Sequence, residues 1–191
     1  MKTLIKTLFA FICIVFISSC DSSEKQKTNT NLKKEITKTS KKQGQAFLRD
    51  DEGTPNVLQI AIGSPDHKTL VAAVQAAELE NALVNAGPLM VFAPTDTAFG
   101  LLPEGTVEDL VKPENKNVLA NILKYHVTPG NYSKEFLKKF KKLGQANNQD
   151  VLVEVKGDDV YVGGAKIIGS VKAGNGIVHV IDKVMLPPTK K

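Results

Sequence analysis

Residues Gly87–Phe99 have the sequence GPLMVFAPTDTAF, in which the local character changes abruptly. The short apolar run Leu89–Ala93 is bounded by turn-forming residues and predicts a buried strand. After Pro94, which fixes the corner, Thr95 or Asp96 can accept hydrogen bonds from the free amides of a short helix. The segment therefore predicts a strand that turns directly into a helix.

A second informative stretch, Asn175–Pro187, has the sequence NGIVHVIDKVMLP. The preceding Gly174-Asn175-Gly176 triplet is typical of a turn. It leads into an apolar run, Ile177–Leu186, which we predict to be the longest strand of the chain. The Pro187-Pro188 pair ends that strand.

Two polar residues on this last strand have structural explanations. His179 shares its strand face with Ile177 and Ile181, since side chains alternate between faces. We therefore expect His179 to be a hydrogen-bonded core residue rather than a ligand. Asp182 has the opposite parity, and we expect a buried or half-buried carboxylate that accepts bonds from backbone amides.

Outward from these stretches, the pattern predicts helices first and strands last. Helices are expected from Thr54-Pro55, from Ser64-Pro65 to Gly87-Pro88, from Thr106, after Pro113, and over Ser133–Leu143. A hairpin is expected at Val151–Val162 around a Gly157-Asp158 turn, followed by a strand over Lys166–Val171. This order, with short connections, predicts an α+β fold.

The segment after Pro113 carries a single apolar stripe at helical spacing. Its members are Val118, Leu119, Ile122, Leu123 and His126. Tyr125 and His126 are followed by Val127 and by a Pro129-Gly130 turn. The position of His126 on the stripe favours packing over exposure.

The two long stretches and the Tyr125-His126 pair resemble the motifs of the fasciclin domain family, in the family's order. The resemblance spans roughly Pro55–Pro188. It implies an N-terminal helical layer packed on a twisted, wedge-shaped β-sandwich. Two parts of the chain depart from the family pattern. They are the lysine-rich segment Ser133–Leu143 and the residues Gln145–Asp150.

The resemblance also implies a function. Fasciclin domains are extracellular modules that bind proteins, matrix or glycans, without an established catalytic activity. In some animal members, the pair that corresponds to Tyr125 and His126 is implicated in integrin binding. These two residues are therefore candidate partner-binding residues, although packing is the favoured interpretation.

Composition limits the chemistry. The chain has 191 residues, of which 42% are hydrophobic and 24% charged. Its two cysteines, Cys13 and Cys20, exclude a disulfide framework, a thiolate zinc site and a cysteine nucleophile from the rest of the chain. The three histidines lack metal-ligand spacing, and no glycine-rich phosphate loop precedes a helix. We predict no catalytic, cofactor-binding or metal-binding residue.

The formal charge of +5 belongs to the N-terminal part of the chain. From Asp51 onward, 15 lysines face 16 carboxylates, which gives −1. Nucleic acid is therefore not an expected partner. In the segment Ser133–Leu143, five lysines are expected on a solvated outer face, with contact to lipid or to an acidic glycan as the alternative.

The N-terminus resembles a bacterial lipoprotein leader. The apolar run Leu8–Ile17 is about half the roughly 20 residues needed to span a membrane. The sequence Ile17-Ser18-Ser19-Cys20 resembles a lipobox, so Cys20 is the expected lipidation site. We predict a signal peptide over 1–19, a flexible basic tether over 20–54 and a fasciclin domain over 55–188.

These features together predict a non-enzymatic adhesion or interaction module of the bacterial cell envelope, held to a membrane through lipidated Cys20. The partner is expected to be a protein or a glycan. The alternative is an envelope lipoprotein that binds a small molecule or glycan. A large apolar pocket would favour that alternative.

Overall fold

The computed structural model describes residues Gly53–Pro188, which fall within one compact unit of the chain, Lys41–Lys191. The predicted signal peptide and Cys20 lie outside the described residues, as does the tether up to residue 52. The described part contains seven α-helices and seven strands, so the predicted α+β class is confirmed. No helix within it is both long and apolar enough for a membrane crossing.

The helices lie mainly in the first half. They are α1 (Val57–Gly63), α2 (Lys68–Ala76), α3 (Glu80–Asn85), α4 (Asp96–Phe99), α5 (Thr106–Leu110), α6 (Lys116–Tyr125) and α7 (Lys134–Leu137), with a 3-10 turn at Pro113–Asn115. The strands are β1 (Leu89–Pro94), β2 (Val127–Pro129), β3 (Lys142–Gly144), β4 (Asp150–Lys156), β5 (Asp159–Val162), β6 (Ala165–Ala173) and β7 (Gly176–Ile181).

All seven strands belong to one sheet with the order β2-β1-β7-β6-β5-β4-β3. The β1–β7 pair is parallel, and the other pairs are antiparallel. In the parallel pair Phe92 lies opposite His179, and Pro94 lies opposite Ile181. Past β3, the amide of Ala146 donates to the carbonyl of Val127 in β2 at 2.7 Å, so the two ends of the sheet meet and it nearly closes into a barrel.

The alternating side chains of β1 divide the interior into two cores. Leu89, Val91 and Ala93 face the helices, where they pack against residues of α1, α2 and α6. Met90 and Phe92 face the inside of the curled sheet, together with valines of β4 and β5. A strand that is buried on both faces explains why Leu89–Ala93 is a continuous apolar run. Both cores lie within the compact unit 41–191, and a compact unit with its own hydrophobic core can fold on its own.

The helix predicted from Ser64 to Gly87 is wrong, because the chain forms α2 and α3 separately. Glu78 lies between them with φ of 54°, the left-handed conformation that interrupts a helix. The first helix also begins later than predicted. Asn56, rather than Thr54, caps it and forms a capping box with Gln59.

The predicted amphipathic helix over Ser133–Leu143 is also wrong. Only one turn, α7, is helical, and Lys142 already belongs to β3, which pairs with β4. Leu137 is fully buried as expected, whereas Phe136 is 42% exposed. At the C-terminal end of the segment, pairing of β3 with β4 uses the backbone hydrogen-bonding groups that a longer helix would need.

Two smaller predictions need correction. The last strand ends at Ile181, so β6 is the longest strand. Val118, placed on the apolar stripe of α6, is 52% exposed.

Candidate functional site

The corner after β1 caps two helices. Thr95 Oγ1 accepts from the amide of Ala98 at 3.2 Å and caps α4, as predicted. The Asp96 carboxylate instead reaches α2, where it accepts from the amides of Thr69 at 2.8 Å and Lys68 at 3.3 Å. Burial alone would raise the pKa of Asp96, but these hydrogen bonds keep it below its usual value. The corner thereby fixes the helical layer to the sheet.

His179 is the fully buried polar residue of β7, as the sequence predicts. Its Nε2 donates to the carbonyl of Tyr132 at 2.9 Å, because a carbonyl can only accept. Its Nδ1 therefore accepts from Ser170 Oγ at 2.7 Å. The ring stacks on Phe92 with centroids 5.7 Å apart. Burial lowers the pKa of His179, which keeps the imidazole neutral.

Tyr125 and His126 lie at the end of α6 and are 5% and 3% exposed. His126 Nδ1 donates to the carbonyl of Ile122 at 2.8 Å, and Nε2 accepts from the amide of Met185 at 3.0 Å. Burial lowers the pKa of His126 to about 4. A partner that touched His126 would have to displace the segment around Met185. The favoured interpretation of the pair as packing residues agrees with this placement.

Asn175 and Asp182 of the second stretch join distant elements. The Asn175 side chain accepts from the amide of Val57 at 2.9 Å and donates to the carbonyl of Leu83 at 2.7 Å, so it connects α1, α3 and the sheet. Asp182 is half-buried and accepts from the amide of Lys166 at 2.8 Å, as predicted. The residues of this stretch therefore serve internal hydrogen bonding.

An exposed cluster lies on the segment between β2 and β4. We define the basic aromatic surface by the rings of Tyr132, Phe136 and Phe140 and the five lysines Lys134, Lys138, Lys139, Lys141 and Lys142. The rings of Tyr132 and Phe136 stack with centroids 5.5 Å apart, and the ring of Phe140 contacts both at 5.2 and 5.5 Å in tilted and edge-on orientations. Lys139 lies over the ring of Phe136 at 4.9 Å.

Not every lysine of this surface is free. Lys142 pairs with Asp150 at 2.6 Å, and Lys138 lies 3.9 Å from Asp158. Lys139 and Lys141 are exposed and form no ion pair with another described residue. Their positive charge is available for an anionic partner.

An apolar pocket of about 210 Å³ lies between the helical layer and the sheet. Side chains of α1, α2, α3, β1, α6, β2 and β7 line it. Among the described residues that line it, only Lys124 and His126 carry polar side chains. We refer to it as the helix-side pocket. Elsewhere in residues 53–188, no three His, Cys, Asp or Glu side chains are grouped as a metal site would require.

Comparison with known proteins identifies the family of this chain. The sequence profile of the Fasciclin domain matches residues 65–187, well over half of the chain. The chain belongs to the fasciclin domain family. The predicted resemblance is therefore confirmed, and the parallel β1–β7 pair joins the two stretches on which it was based.

Several fasciclin relatives are similar over most of this domain. Protein sll1483 of Synechocystis is 45% identical over 133 residues, which cover 69% of this chain and 73% of that protein. The cell surface glycolipoprotein MPB83 of Mycobacterium bovis is 36% identical over 108 residues, 56% of this chain and 47% of that protein. A FAS1 domain pair from the insect cell adhesion molecule fasciclin I shares the fold, with a TM-score of 0.62 at 19% identity, over 70% of this chain and 51% of that structure.

The sequence does not predict which distant elements two residues of this fasciclin domain hold together. Asn175 looked like a turn residue, because asparagine beside glycine is typical of turns. Asp96 looked like a cap for its own helix, because it follows a strand. In both cases the partners lie far away in the sequence, which a local pattern does not indicate.

Proposed function

We propose that this fasciclin domain is a membrane-anchored, non-enzymatic adhesion module of the bacterial envelope. Membership of the family supports adhesion, since a structural neighbour comes from a cell adhesion molecule. The relative MPB83 supports an anchored location, because its name describes a cell surface glycolipoprotein. The lipobox-like sequence before Cys20 supports the same location in this chain.

The observation that carries the proposal is that the histidines of the family motifs are buried, whereas aromatic and basic side chains are exposed elsewhere on the domain. Both histidines of the family motifs are buried and use both ring nitrogens in hydrogen bonds within the chain. The basic aromatic surface, in contrast, exposes Phe136 and unpaired lysines. We therefore assign partner contact to this surface rather than to Tyr125 and His126.

The partner that fits this surface is an acidic glycan. Clustered ammonium groups attract an anionic polymer, and the exposed ring of Phe136 offers an apolar face beside them. Since Lys139 and Lys141 form no ion pair with another described residue, their charges are available to the glycan. Binding of this kind weakens as salt rises, because salt screens exposed charges.

The first prediction concerns the anchor. Cys20→Ala should move the protein from the membrane fraction to the soluble fraction, because several acyl chains are what holds it to the bilayer. Mass spectrometry of the native protein should show acyl groups on Cys20. Cys13→Ala is the matched control and should leave the protein in the membrane fraction. An unlipidated Cys20, or a membrane-bound Cys20→Ala variant, would refute the anchor.

The second prediction concerns the basic aromatic surface. The variant Lys139→Glu/Lys141→Glu should lower binding to heparin-coated beads by roughly tenfold at 0.1 M salt, because two attractive charges become repulsive. Phe136→Ser should weaken binding without altering its salt dependence.

The control for this experiment is Lys68→Glu/Lys183→Glu, which makes the same change of net charge on exposed lysines outside this surface. It should retain most of the binding. Equal loss in both double variants would indicate attraction by net charge alone, and no binding by the wild type would refute the glycan partner.

The alternative function, binding of a small molecule, is favoured by one observation, the helix-side pocket. Pockets of this kind are typical of ligand sites when they are apolar with few polar groups.

A further inference from the structure

We infer that the helix-side pocket binds the alkyl chain of a free medium-chain fatty acid, with the carboxylate at Lys124. This inference rests on the alternative function, the binding of a small molecule in this pocket, and it does not depend on the adhesion proposal or on the basic aromatic surface. The inference rests on the side chains that line the pocket, its volume, the helix α3 that covers it and the charge of Lys124 beside it.

The lining favours a saturated alkyl chain. Aliphatic side chains from seven elements enclose the pocket, among them Val57, Leu70, Val74 and Leu123. The imidazole of His126 also reaches it, but both ring nitrogens already have backbone partners. A ligand group with hydrogen-bonding needs would therefore find no partner deep in the pocket, and burying it would be unfavourable.

The size limits the length of that chain. An apolar protein cavity of about 150 Å³ accommodates benzene, which has six carbons. A pocket of about 210 Å³ therefore fits roughly eight or nine carbons on the same scale. A two-chain membrane phospholipid carries far more hydrocarbon than this, so a single shorter chain is the better match.

The cover of the pocket permits entry. Helix α3 contributes Leu83 and Ala82 to the lining, yet it has no fully buried residue. Leu79, just before α3, and Leu83 are half-buried, and Ala86, just after it, is exposed. Elements with little buried apolar surface open at low free-energy cost.

The charge selects an acid over a neutral chain. Lys124 is the single charged side chain among the described lining residues, and it is exposed. It forms no ion pair with another described residue. Its ammonium group is therefore free to pair with a carboxylate while the alkyl chain occupies the apolar interior.

The test uses the fragment 41–191, which contains both cores, with octanoate and 1-octanol as probes. In methyl NMR spectra, both probes should shift the signals of residues that line the pocket, and the shifts should saturate. Val71→Phe should abolish binding of both probes, because Val71 is a half-buried lining residue and phenylalanine would fill the space. If that variant does not fold, Ala86→Phe fills the pocket from its outer edge.

A second pair of variants tests the head group. Lys124→Gln should weaken octanoate binding roughly fivefold and leave 1-octanol binding unchanged, because only octanoate carries a charge. Lys116→Gln is the matched control on the same helix, since Lys116 pairs with Glu78 and does not line the pocket. It should bind both probes like the wild type.

Three results would overturn the inference. The absence of saturable shifts with either probe would show that the pocket takes no alkyl chain. Equal octanoate binding by wild type and Lys124→Gln would refute the carboxylate position. Shifts of the lining methyl groups on concentrating the protein alone would identify a second copy of the chain as the occupant.

Discussion

Gly176→Ala is expected to destabilise the fold by at least about 4 kcal/mol. Gly176 begins β7 and pairs with Leu89 in the parallel β1–β7 pair of the sheet. A Cβ atom at this position would overlap the carbonyl oxygen of Leu89 and lie 2.8 Å from its carbonyl carbon. These are backbone atoms of a paired strand, and the amide of Leu89 also donates to Asn175 at 3.0 Å. The strands would have to separate to relieve the overlap.

The measurement is thermal unfolding of the fragment 41–191, in which Gly176→Ala should lower the midpoint by about 10 °C or more, or prevent folding. Gly87→Ala is the matched control just before β1. A Cβ there has no heavy atom within 4 Å, so the midpoint should change by about 2 °C at most. Similar midpoints for the two variants would show that β1 and β7 do not pair in this register.

The elements that could be predicted from the sequence are those whose causes are local. Three features follow from short patterns and are present in the structure. They are the corner at Pro94, the hairpin at Gly157-Asp158, and the placement of His179 and Asp182 on opposite faces of the last strand. Family resemblance then supplied what local patterns do not provide, the packing of an N-terminal helical layer on the sheet.

The elements that were predicted wrongly depend on distant partners. The break at Glu78 places a non-glycine residue in the left-handed region, although an apolar helical pattern continues across it. The segment 133–143 ends in β3 because β4 pairs with it. Pattern and propensity are weak compared with such tertiary contacts.

The candidate site was predictable only in part. The lysines of the basic aromatic surface are visible in the sequence, but their free or paired state depends on Asp150 and Asp158 across the fold. The helix-side pocket was not predictable, because seven separate elements line it. A void is a property of how elements pack together, and no residue type indicates it.

Acidification from pH 7 to pH 4 is expected to reduce stability by about 3 kcal/mol through His126 alone. Burial lowers the pKa of His126 to about 4 in the folded protein, against 6.5 when unfolded. A second proton would have to sit on Nε2, where the amide of Met185 already donates. An amide cannot reverse its role, so the charged ring would lose this bond.

The sign follows from which state binds the proton. Between the two pKa values the unfolded chain binds a proton at His126 and the folded chain does not, so acid favours unfolding. The contribution is complete above pH 6.5 and is lost as the pH falls towards 4. Because the pKa of His179 is also lowered by burial, that residue adds in the same direction.

Urea unfolding of wild type and His126→Gln at several pH values isolates the contribution of His126. The variant should be less stable at pH 7, and the difference between the two proteins should shrink by about 3 kcal/mol towards pH 4, because glutamine has no proton to gain. His179 and the carboxylates are present in both proteins and cancel. In NMR spectra, the ring signals of His126 should show no titration between pH 8 and pH 5. A titration midpoint of the ring near pH 6.5, or a stability difference between the two proteins that is constant with pH, would mean that His126 reaches water in the folded state. His126 would then again be a candidate partner-binding residue.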